Sequence, residues 1–376
     1  MSRVEAILNE LMSIASNPKK AMEDFKAETG KGAVGVMPVY APEELIHAAG
    51  FLPIGIWGGK RSVSKARAYL PAFACSIMQI VMEMQIEGVY DDLQAVLFSV
   101  PCDTLKCLSQ KWKGTSETIV FTHPQNRGLE SANKFLVTEY QIVKEKLEKI
   151  LGTEITNEAL TNSIEVYNEN RRAMREFSDL VSSYPQTLDP VKRHAVVKAR
   201  WFMEKSKHTA LVKELMAELK QQPTEEITGK KVVLTGILAE PNGILEIFKE
   251  NGFTVVADDL AQESRQFRHD VPEGDDPMLR LAKWWQDLEG CSLATDVHKT
   301  RGPMLMDMVK KYDADAVVVC MMKFCDPEEF DYPIYYMQFE EAGVKSLYLE
   351  IDMEATSFEQ IKTRVQSFAE MGLVTN

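Results

Sequence analysis

The sequence lacks a long uninterrupted apolar stretch. Its longest candidates, Ala95–Val100 and Ala316–Met322, are far shorter than the ~18–20 residues that a membrane-spanning helix needs. Glycine and proline are also scarce, with 20 and 16 positions in 376 residues, which excludes collagen-like and largely disordered chains. Acidic residues recur through the first 25 positions and predict an amphipathic helix in place of a targeting peptide. We therefore expect a cytoplasmic protein that has no membrane partner.

Positive charge is in short supply. The chain has 43 Lys and Arg residues against 56 Asp and Glu residues, which gives a formal net charge of −13. A nucleic-acid-binding protein needs a basic face that meets the phosphate backbone. No block of Lys or Arg supplies such a face, and the sequence therefore predicts no nucleic-acid partner.

The common nucleotide-binding motifs are missing. No GxGxxG sequence follows a predicted strand, and GxxxxGK[ST] does not occur, so we expect that this chain neither hydrolyses ATP nor holds NAD in the usual fold. Basic residues do occur in two predicted loops, Arg265 with Arg268 and Lys299 with Arg301. Solvated side chains are the expected role for them, and contact with ligand phosphates is the alternative.

The pattern of elements predicts an α/β fold. The length and the apolar content of 45% are typical of two or three domains with ample core. We predict an N-terminal helix and a first α/β unit in residues 1–132, a helical segment and linker in 133–229, and a second α/β unit in 230–376. Each α/β unit is expected to be a doubly wound, Rossmann- or flavodoxin-like parallel sheet, because strands alternate with helices.

The element boundaries follow from hydrophobic periodicity and from Gly and Pro positions. Strands are predicted at 32–38, 52–58, 92–100, 230–238, 253–260, 314–322 and 344–351. Helices are predicted at 42–50, 75–86, 104–112, 136–151, 155–181, 191–220, 243–251, 277–289, 302–312, 333–342 and 357–371.

Two Cys-Asp pairs lie at corresponding places in the two units. Cys102-Asp103 and Cys325-Asp326 each come directly after a predicted strand and before a helix, and Cys75 also precedes a helix. A helix N-terminus lowers the pKa of a thiol and favours the thiolate, which is the form that binds metal. We expect both Asp residues to cap the helices that follow. Three such cysteines could converge where the units face each other and bind an iron–sulfur cluster.

Structural thiols are the alternative, because cysteine is common in protein cores and no C-x2-C run is present. Cys102 and Cys107 would point about 140° apart on a helix, so one of them at most faces a cluster. We expect Cys107, Cys291 and Cys320 to be structural.

A second group of candidates lies at the start of the helix that follows Pro42. Glu43 and Glu44 are in its first turn, where acidic side chains complement the helix dipole. A proton-transfer role is the alternative for them. His47 on the same helix is expected to be packed or hydrogen-bonded.

Three motifs carry a family resemblance. The segments VYAPEELIHAAGFLPIGIWG, VPCDTLKCLSQKW and MKFCDPEEFDYP resemble the 2-hydroxyacyl-CoA dehydratase family, which also includes benzoyl-CoA reductase subunits. The resemblance extends from about Gly32 to the C-terminus. It is strongest to the smaller, beta subunits, in the branch that acts on (R)-2-hydroxyisocaproyl-CoA in amino-acid-fermenting anaerobes.

This resemblance implies a hydro-lyase subunit that holds one [4Fe–4S] cluster on Cys75, Cys102 and Cys325. Cys107 remains the rival of Cys102, and no residue of this chain is assigned to catalysis. The reaction would convert an (R)-2-hydroxyacyl-CoA to an (E)-2-enoyl-CoA and water through a ketyl radical, with this cluster as electron relay or store.

The implied partners are a related alpha subunit that carries the substrate-binding cluster and an ATP-dependent iron–sulfur activator protein. The acyl-CoA would bind mainly to the alpha subunit. The alternatives are a subunit of a benzoyl-CoA-type reductase and a non-catalytic α/β scaffold.

Overall fold

The computed structural model describes residues 2–37 and 39–371. The chain begins with two helices, α1 (Arg3–Ser16) and α2 (Pro18–Thr29). Asn17 separates them, and its side chain caps α2 by accepting from the Lys20 amide. The single amphipathic helix predicted for the first 25 residues is therefore wrong, because Pro18 starts a new helix at its first position.

The first α/β unit contains four parallel strands in the order β2-β1-β3-β4. Its elements are β1 (Ala33–Val36), α3 (Glu43–Ala48), β2 (Leu52–Gly55), α4 (Ser76–Ile86), β3 (Leu93–Ser99), α5 (Asp103–Lys111) and β4 (Glu117–Phe121). The sequence interpretation omitted β4. The apolar run of this edge strand, Ile119–Phe121, is shorter than the roughly 4–8 residues by which a strand is recognised in a sequence.

The helical segment contains α6 (Glu130–Leu151), α7 (Asn157–Leu180), α8 (Pro190–Ala199) and α9 (Lys205–Leu219). The single helix predicted over 191–220 is wrong, because the chain turns between α8 and α9. Glu204 makes this turn possible, since its carboxylate accepts from the amides of Ser206 and Lys207 and so caps α9.

The second α/β unit repeats the strand order of the first, as β6-β5-β7-β8, again all parallel. Its elements are β5 (Lys230–Gly236), α10 (Asn242–Glu250), β6 (Phe253–Leu260), α11 (Pro277–Gln286), α12 (Arg301–Lys311), β7 (Ala316–Met322), α13 (Asp326–Ala342), β8 (Ser346–Ile351) and α14 (Glu359–Glu370). The predicted fold class, two parallel-sheet units with helices between them, is confirmed.

Helix α1 packs away from the first sheet, on α8 and α9. Its residues Ile7 and Leu11 are fully buried in a second hydrophobic core with Val196 and Leu215. The domain boundaries after residues 132 and 229 stay predictions. Among the described residues, no helix combines the length and apolarity needed to cross a membrane.

Candidate metal centre

Three of the six cysteines occupy equivalent positions, each being the residue directly before a helix. Cys102 lies between β3 and α5, Cys325 between β7 and α13, and Cys75 before α4. Strand β3 lies beside β1 and strand β7 beside β5, and the strand order reverses between the two strands of each pair. In open α/β sheets, ligands bind outside the carboxyl ends of the strands at this point.

A serine joins the Cys75 turn to the second unit. The Ser76 hydroxyl lies 3.2 Å from the Met322 sulfur and accepts from the Met353 amide at 3.0 Å. Because Met322 ends β7, three residues before Cys325, these contacts bring the first turn of α4 against the carboxyl edge of the second sheet.

The three thiols affect one another electrostatically. Burial raises the pKa of Cys75 to about 12, and the neighbouring Cys102 thiol contributes to this rise. Burial also raises the pKa of Cys325, as do the Glu328 carboxylate and the Cys75 and Cys102 thiols. The group therefore disfavours thiolates until a cation compensates their charge, as iron does in a cluster. This set of donors fits a three-cysteine iron–sulfur cluster.

A site for one metal ion is a different arrangement. Over residues 2–37 and 39–371, no three His, Cys, Asp or Glu side chains form a group that could hold a single ion. Such an ion needs thiolates ~2.3 Å from one point, whereas a cluster distributes its thiolates over several iron atoms.

The other three cysteines lie in different surroundings. Cys107 is exposed on α5, and Cys320 is fully buried inside β7. Cys291 is buried, and it accepts hydrogen bonds from the Tyr40 hydroxyl at 2.8 Å and from Arg265 Nη1 at 3.3 Å.

The Cys-Asp pairs do not cap their helices in the predicted way. Cys102 and Cys325 themselves occupy the N-cap positions, and neither side chain makes a capping hydrogen bond within the described residues. Asp103 and Asp326 are the first residues of their helices, and both are exposed. The predicted capping role is wrong, because α5 begins at Asp103, one residue before its predicted start, and α13 begins at Asp326 instead of at residue 333.

The Cys325 turn has a distinct backbone. Phe324 adopts a left-handed conformation with φ of 63°, and the Cys325 amide donates to the Met322 carbonyl at 3.0 Å. This tight turn brings Cys325 directly to the helix N-terminus.

Glu328, in the first turn of α13, anchors this turn to the sheet. Its carboxylate lies 2.8 Å from Arg301 Nη2 and 3.4 Å from Arg265 Nη2, and accepts from the Ser292 hydroxyl at 2.6 Å. Burial opposes ionisation of Glu328, but the two guanidinium groups lower its pKa below the ordinary value. The side chain is therefore a buried carboxylate.

The same two arginines also bind Asp259 on β6, with Nε–Oδ distances of 3.0 Å for Arg265 and 3.1 Å for Arg301. Arg268 adds a contact of 2.5 Å to Asp259. The prediction of solvated loops is wrong for Arg265 and Arg301, which are buried in the second unit, whereas Lys299 is exposed as expected. The spacing of residues in the sequence did not indicate these ion pairs, because the paired residues lie up to 63 positions apart.

The acidic pair that follows Pro42 is buried as well. Glu43 pairs with Lys205 at 2.9 Å and Glu44 with Arg171 at 2.5 Å. Burial raises the pKa of Glu43, but Lys205 and the nearby arginines lower it to a net value below the ordinary one.

His47 lies between Ser163 and Glu204, at 2.9 and 3.1 Å, so its predicted role as a hydrogen-bonded residue is confirmed. The ion pairs of Glu43 and Glu44 join α3 to the helical segment.

Comparison with known proteins supports the family resemblance that the three motifs indicate. The family model for the D-component of 2-hydroxyglutaryl-CoA dehydratase matches residues 38–371. Lactoyl-CoA dehydratase subunit beta of Anaerotignum propionicum is 66% identical over 373 residues, covering 99% of this chain and 100% of the relative. The (R)-phenyllactyl-CoA dehydratase beta subunit of Clostridium sporogenes is 43% identical, covering 98% and 100%. A benzoyl-CoA reductase subunit of Thauera aromatica is 26% identical, covering 98% and 97%.

These matches span both α/β units and all three cysteine turns. The resemblance predicted from the three motifs is confirmed, and the chain belongs to the family of the 2-hydroxyglutaryl-CoA dehydratase D-component.

Proposed function

We propose that this chain is the beta subunit of a 2-hydroxyacyl-CoA dehydratase, a lyase that converts an (R)-2-hydroxyacyl-CoA to an (E)-2-enoyl-CoA and water. The observation that carries the proposal is full-length similarity to beta subunits of named dehydratases, 66% to lactoyl-CoA and 43% to phenyllactyl-CoA dehydratase. The higher identity favours a short acyl chain of the lactoyl type over an aromatic chain of the phenyllactyl type.

Cys75, Cys102 and Cys325 are the proposed ligands of one [4Fe–4S] cluster. When bound, the cluster would supply one-electron transfer at low potential, as relay or store. The fit of the donor set supports this assignment. The exposure of Cys107 supports Cys102 as the ligand on the α5 segment.

The residues around the cysteines hold the turns that carry the ligands. Glu328 fixes the start of α13 through two arginines, and Ser76 joins the Cys75 turn to the second sheet. Glu43 and Glu44 are both occupied by buried ion pairs, so we assign neither of them to proton transfer.

The chemistry at the acyl chain belongs to the partner in this proposal. A related alpha subunit would bind the substrate, and an ATP-dependent iron–sulfur activator would deliver the electron that forms the ketyl radical. This chain has no phosphate-binding loop of its own, which supports a separate ATP-hydrolysing protein. The radical chemistry also suggests an anaerobic cytoplasm.

Two alternatives are less well supported. A benzoyl-CoA-type reductase subunit is favoured by a relative of 26% identity, well below the 66% and 43% of the dehydratase subunits. Its product would be a reduced ring formed with stoichiometric electron consumption. A non-catalytic scaffold gives no reason for three cysteines to lie so near one another that the Cys102 thiol raises the pKa of both Cys75 and Cys325.

Iron and sulfide analysis of anaerobically purified single variants tests the ligand set. Cys75→Ala, Cys102→Ala and Cys325→Ala should each lose most of the iron and the visible absorption, whereas Cys107→Ala should keep both. Cys107→Ala is the matched control for Cys102→Ala, because both residues lie on the α5 segment. Circular dichroism of each variant separates cluster loss from unfolding. Loss of iron in Cys107→Ala with retention in Cys102→Ala would contradict the assignment of Cys102.

Reconstitution tests the division of labour. Dehydration should require this chain, the alpha subunit, the activator, ATP and a low-potential reductant together. Turnover by this polypeptide alone would refute the proposal.

A further inference from the structure

A large cavity lies apart from the three cysteine turns. Its volume is about 820 Å³, within the ~300–1,000 Å³ typical of small-molecule sites. The C-terminal half of α1, the segment after β2, helix α8 and the segment between β5 and α10 surround it. All six cysteines are described by the structure, and none of them lines this cavity.

The cavity is basic although the protein is acidic. Four cationic side chains line it, namely Lys19, Lys60, Arg61 and Lys198, and Glu240 is the single acidic residue among the described residues of the lining. Two of the four are already paired, Arg61 with Glu87 at 3.2 Å and Lys198 with Glu240. In the described part of the chain, the ammonium groups of Lys19 and Lys60 have no acidic partner. Their charge is therefore available to an anionic ligand.

Glu240 offsets the charge of Lys198 and leaves the charges of Lys19 and Lys60 uncompensated. Its carboxylate lies 2.5 Å from the Lys198 ammonium and accepts from the Gln262 amide at 2.8 Å. Burial disfavours its ionisation, but Lys198 and His194 lower the pKa of Glu240 far below its ordinary value.

His194 supplies a buried polar atom at the cavity wall. The side chain is 2% exposed, and its Nδ1 lies 2.7 Å from the Glu263 carboxylate. Among the described residues, Nε2 makes no hydrogen bond, and the Glu240 carboxylate at 3.4 Å is outside hydrogen-bond geometry. Burial lowers the pKa of His194, but Glu240 and Glu263 raise it to a net value above the ordinary one. A protonated Nε2 can donate to an anion.

The start of α10 adds further donors. Pro241 occupies the N-cap and has no side-chain group that could accept from the first-turn amides. Pro241, Asn242 and Gly243 all line the cavity. The first amides of a helix lack intrahelical partners and attract anions.

The remaining wall is apolar and includes two phenyl rings. Phe202 and Phe358 line the cavity together with Met12, Met84 and Val191. Aromatic side chains of this kind stack on planar bases. The cavity therefore combines cations for phosphate with apolar surface for a flat ring.

We propose that this cavity binds an adenosine phosphate group, with Lys19 and Lys60 at the phosphates and Phe202 and Phe358 at the base. The group could come from coenzyme A or its thioesters, or from a free adenine nucleotide. The inference goes beyond the proposed function, because it adds a ligand site to this chain that is separate from the cysteine turns.

Calorimetric titration of the full-length chain tests the site. Coenzyme A, ADP, ATP and inorganic phosphate serve as separate probes, in the wild type and in Lys19→Glu/Lys60→Glu. The matched control is Lys146→Glu/Lys220→Glu, which reverses the charge of two exposed lysines that do not line the cavity. A second cavity variant, Ser13→Trp, fills the space from an exposed position on α1.

We expect the cavity double variant to weaken binding by about tenfold or more, because two attractive charges become repulsive, and the control to keep the wild-type affinity. Ser13→Trp should weaken binding as well. Tight binding of coenzyme A alone would identify a CoA compound as the source, and equal binding of ADP and ATP would identify free nucleotides.

Absence of binding by every organic probe would overturn the proposal, and so would equal affinities in the cavity and control variants. Visible absorption, measured alongside, reports on the cysteine site independently. A failure here would therefore leave the proposed function untouched.

Discussion

The two α/β units share one strand order but hold their cysteine turns by different forces. In the first unit, α5 is attached by apolar contacts, with Leu105 and Leu108 buried beneath it and Trp112 in edge-to-face contact with Phe98 at 5.6 Å. In the second unit, the start of α13 is attached by Glu328, whose carboxylate is buried between two arginines.

This difference predicts different responses to mutation. Apolar contacts are non-directional, and neighbouring side chains can repack around a loss. A buried ion pair is directional, and removing one partner leaves an uncompensated charge. The Cys325 turn should therefore depend on a single side chain, whereas the Cys102 turn should depend on several.

The largest expected effect is that of Glu328→Ala. It leaves Arg265 and Arg301 with one carboxylate fewer, and we expect a loss of about 3–5 kcal/mol in the free energy of unfolding. Urea denaturation measures this loss. Glu329→Ala is the matched control, because Glu329 is the next residue and is exposed. Equal midpoints for the two variants would contradict the electrostatic anchor.

Leu108→Ala in the first unit should have the next largest effect. Leu108 is fully buried, and its truncation should lower the free energy of unfolding by about 2–4 kcal/mol, depending on how far the site collapses. Lys106→Ala on the exposed side of α5 should leave the urea midpoint unchanged. A fully buried leucine whose removal costs nothing would mean that apolar contacts do not hold this helix.

A smaller, pH-dependent effect is expected from His123, which follows the first sheet and stacks on Trp285 of the second unit. Burial lowers the pKa of His123 to about 4, against an ordinary value of about 6.5. Between these two values the unfolded chain binds more protons than the folded chain, so stability falls as pH falls.

When the pH falls from 7.5 to 5.5, His123 alone should lower the free energy of unfolding by about 1 kcal/mol. His123→Gln removes the titrating group, so the difference in unfolding free energy between these pH values should shrink by that amount. An unchanged pH dependence would show that His123 does not titrate between the two states.

The smallest effects should come from Asp103→Ala and Asp326→Ala. Each residue is exposed in the first turn of its helix and supplies no N-cap bond within the described chain. Only the interaction with the helix dipole is lost, about 0.3–1 kcal/mol. Thermal denaturation of both variants measures it. A loss of about 2 kcal/mol or more in either variant would restore the capping role that the structure excludes.

Local patterns predicted most of the secondary structure but few of the buried charges. The strand at 253–260 matches β6 at both ends, because Gly252 ends the helix before it and the strand is rich in β-branched and aromatic residues at its start. The turn between α8 and α9 was missed, since the buried Trp201 and Phe202 continue the hydrophobic period through it.

In the candidate site too, some residues have a local signal in the sequence and others have none. Cys75, Cys102 and Cys325 were predicted as cluster ligands from the turns before helices and from the family motifs. Both are local features of the sequence. The role of Glu328 has no local signal in the sequence, because its partners, Arg265 and Arg301, are 63 and 27 residues away. Only the tertiary structure brings them together.

The position of α1 has a consequence for biosynthesis. Arg3 at its start pairs with Glu214 on α9 at 2.6 Å, and its apolar face packs on helices that are translated some 200 residues later. At ~5–20 residues per second, α1 would leave the ribosome about 10–40 s before the helices that cover it. The first parallel sheet can be complete during this interval. The N-terminal helix therefore closes its core late in synthesis, and its exposed leucines and isoleucines are the surface that nascent-chain chaperones would meet first.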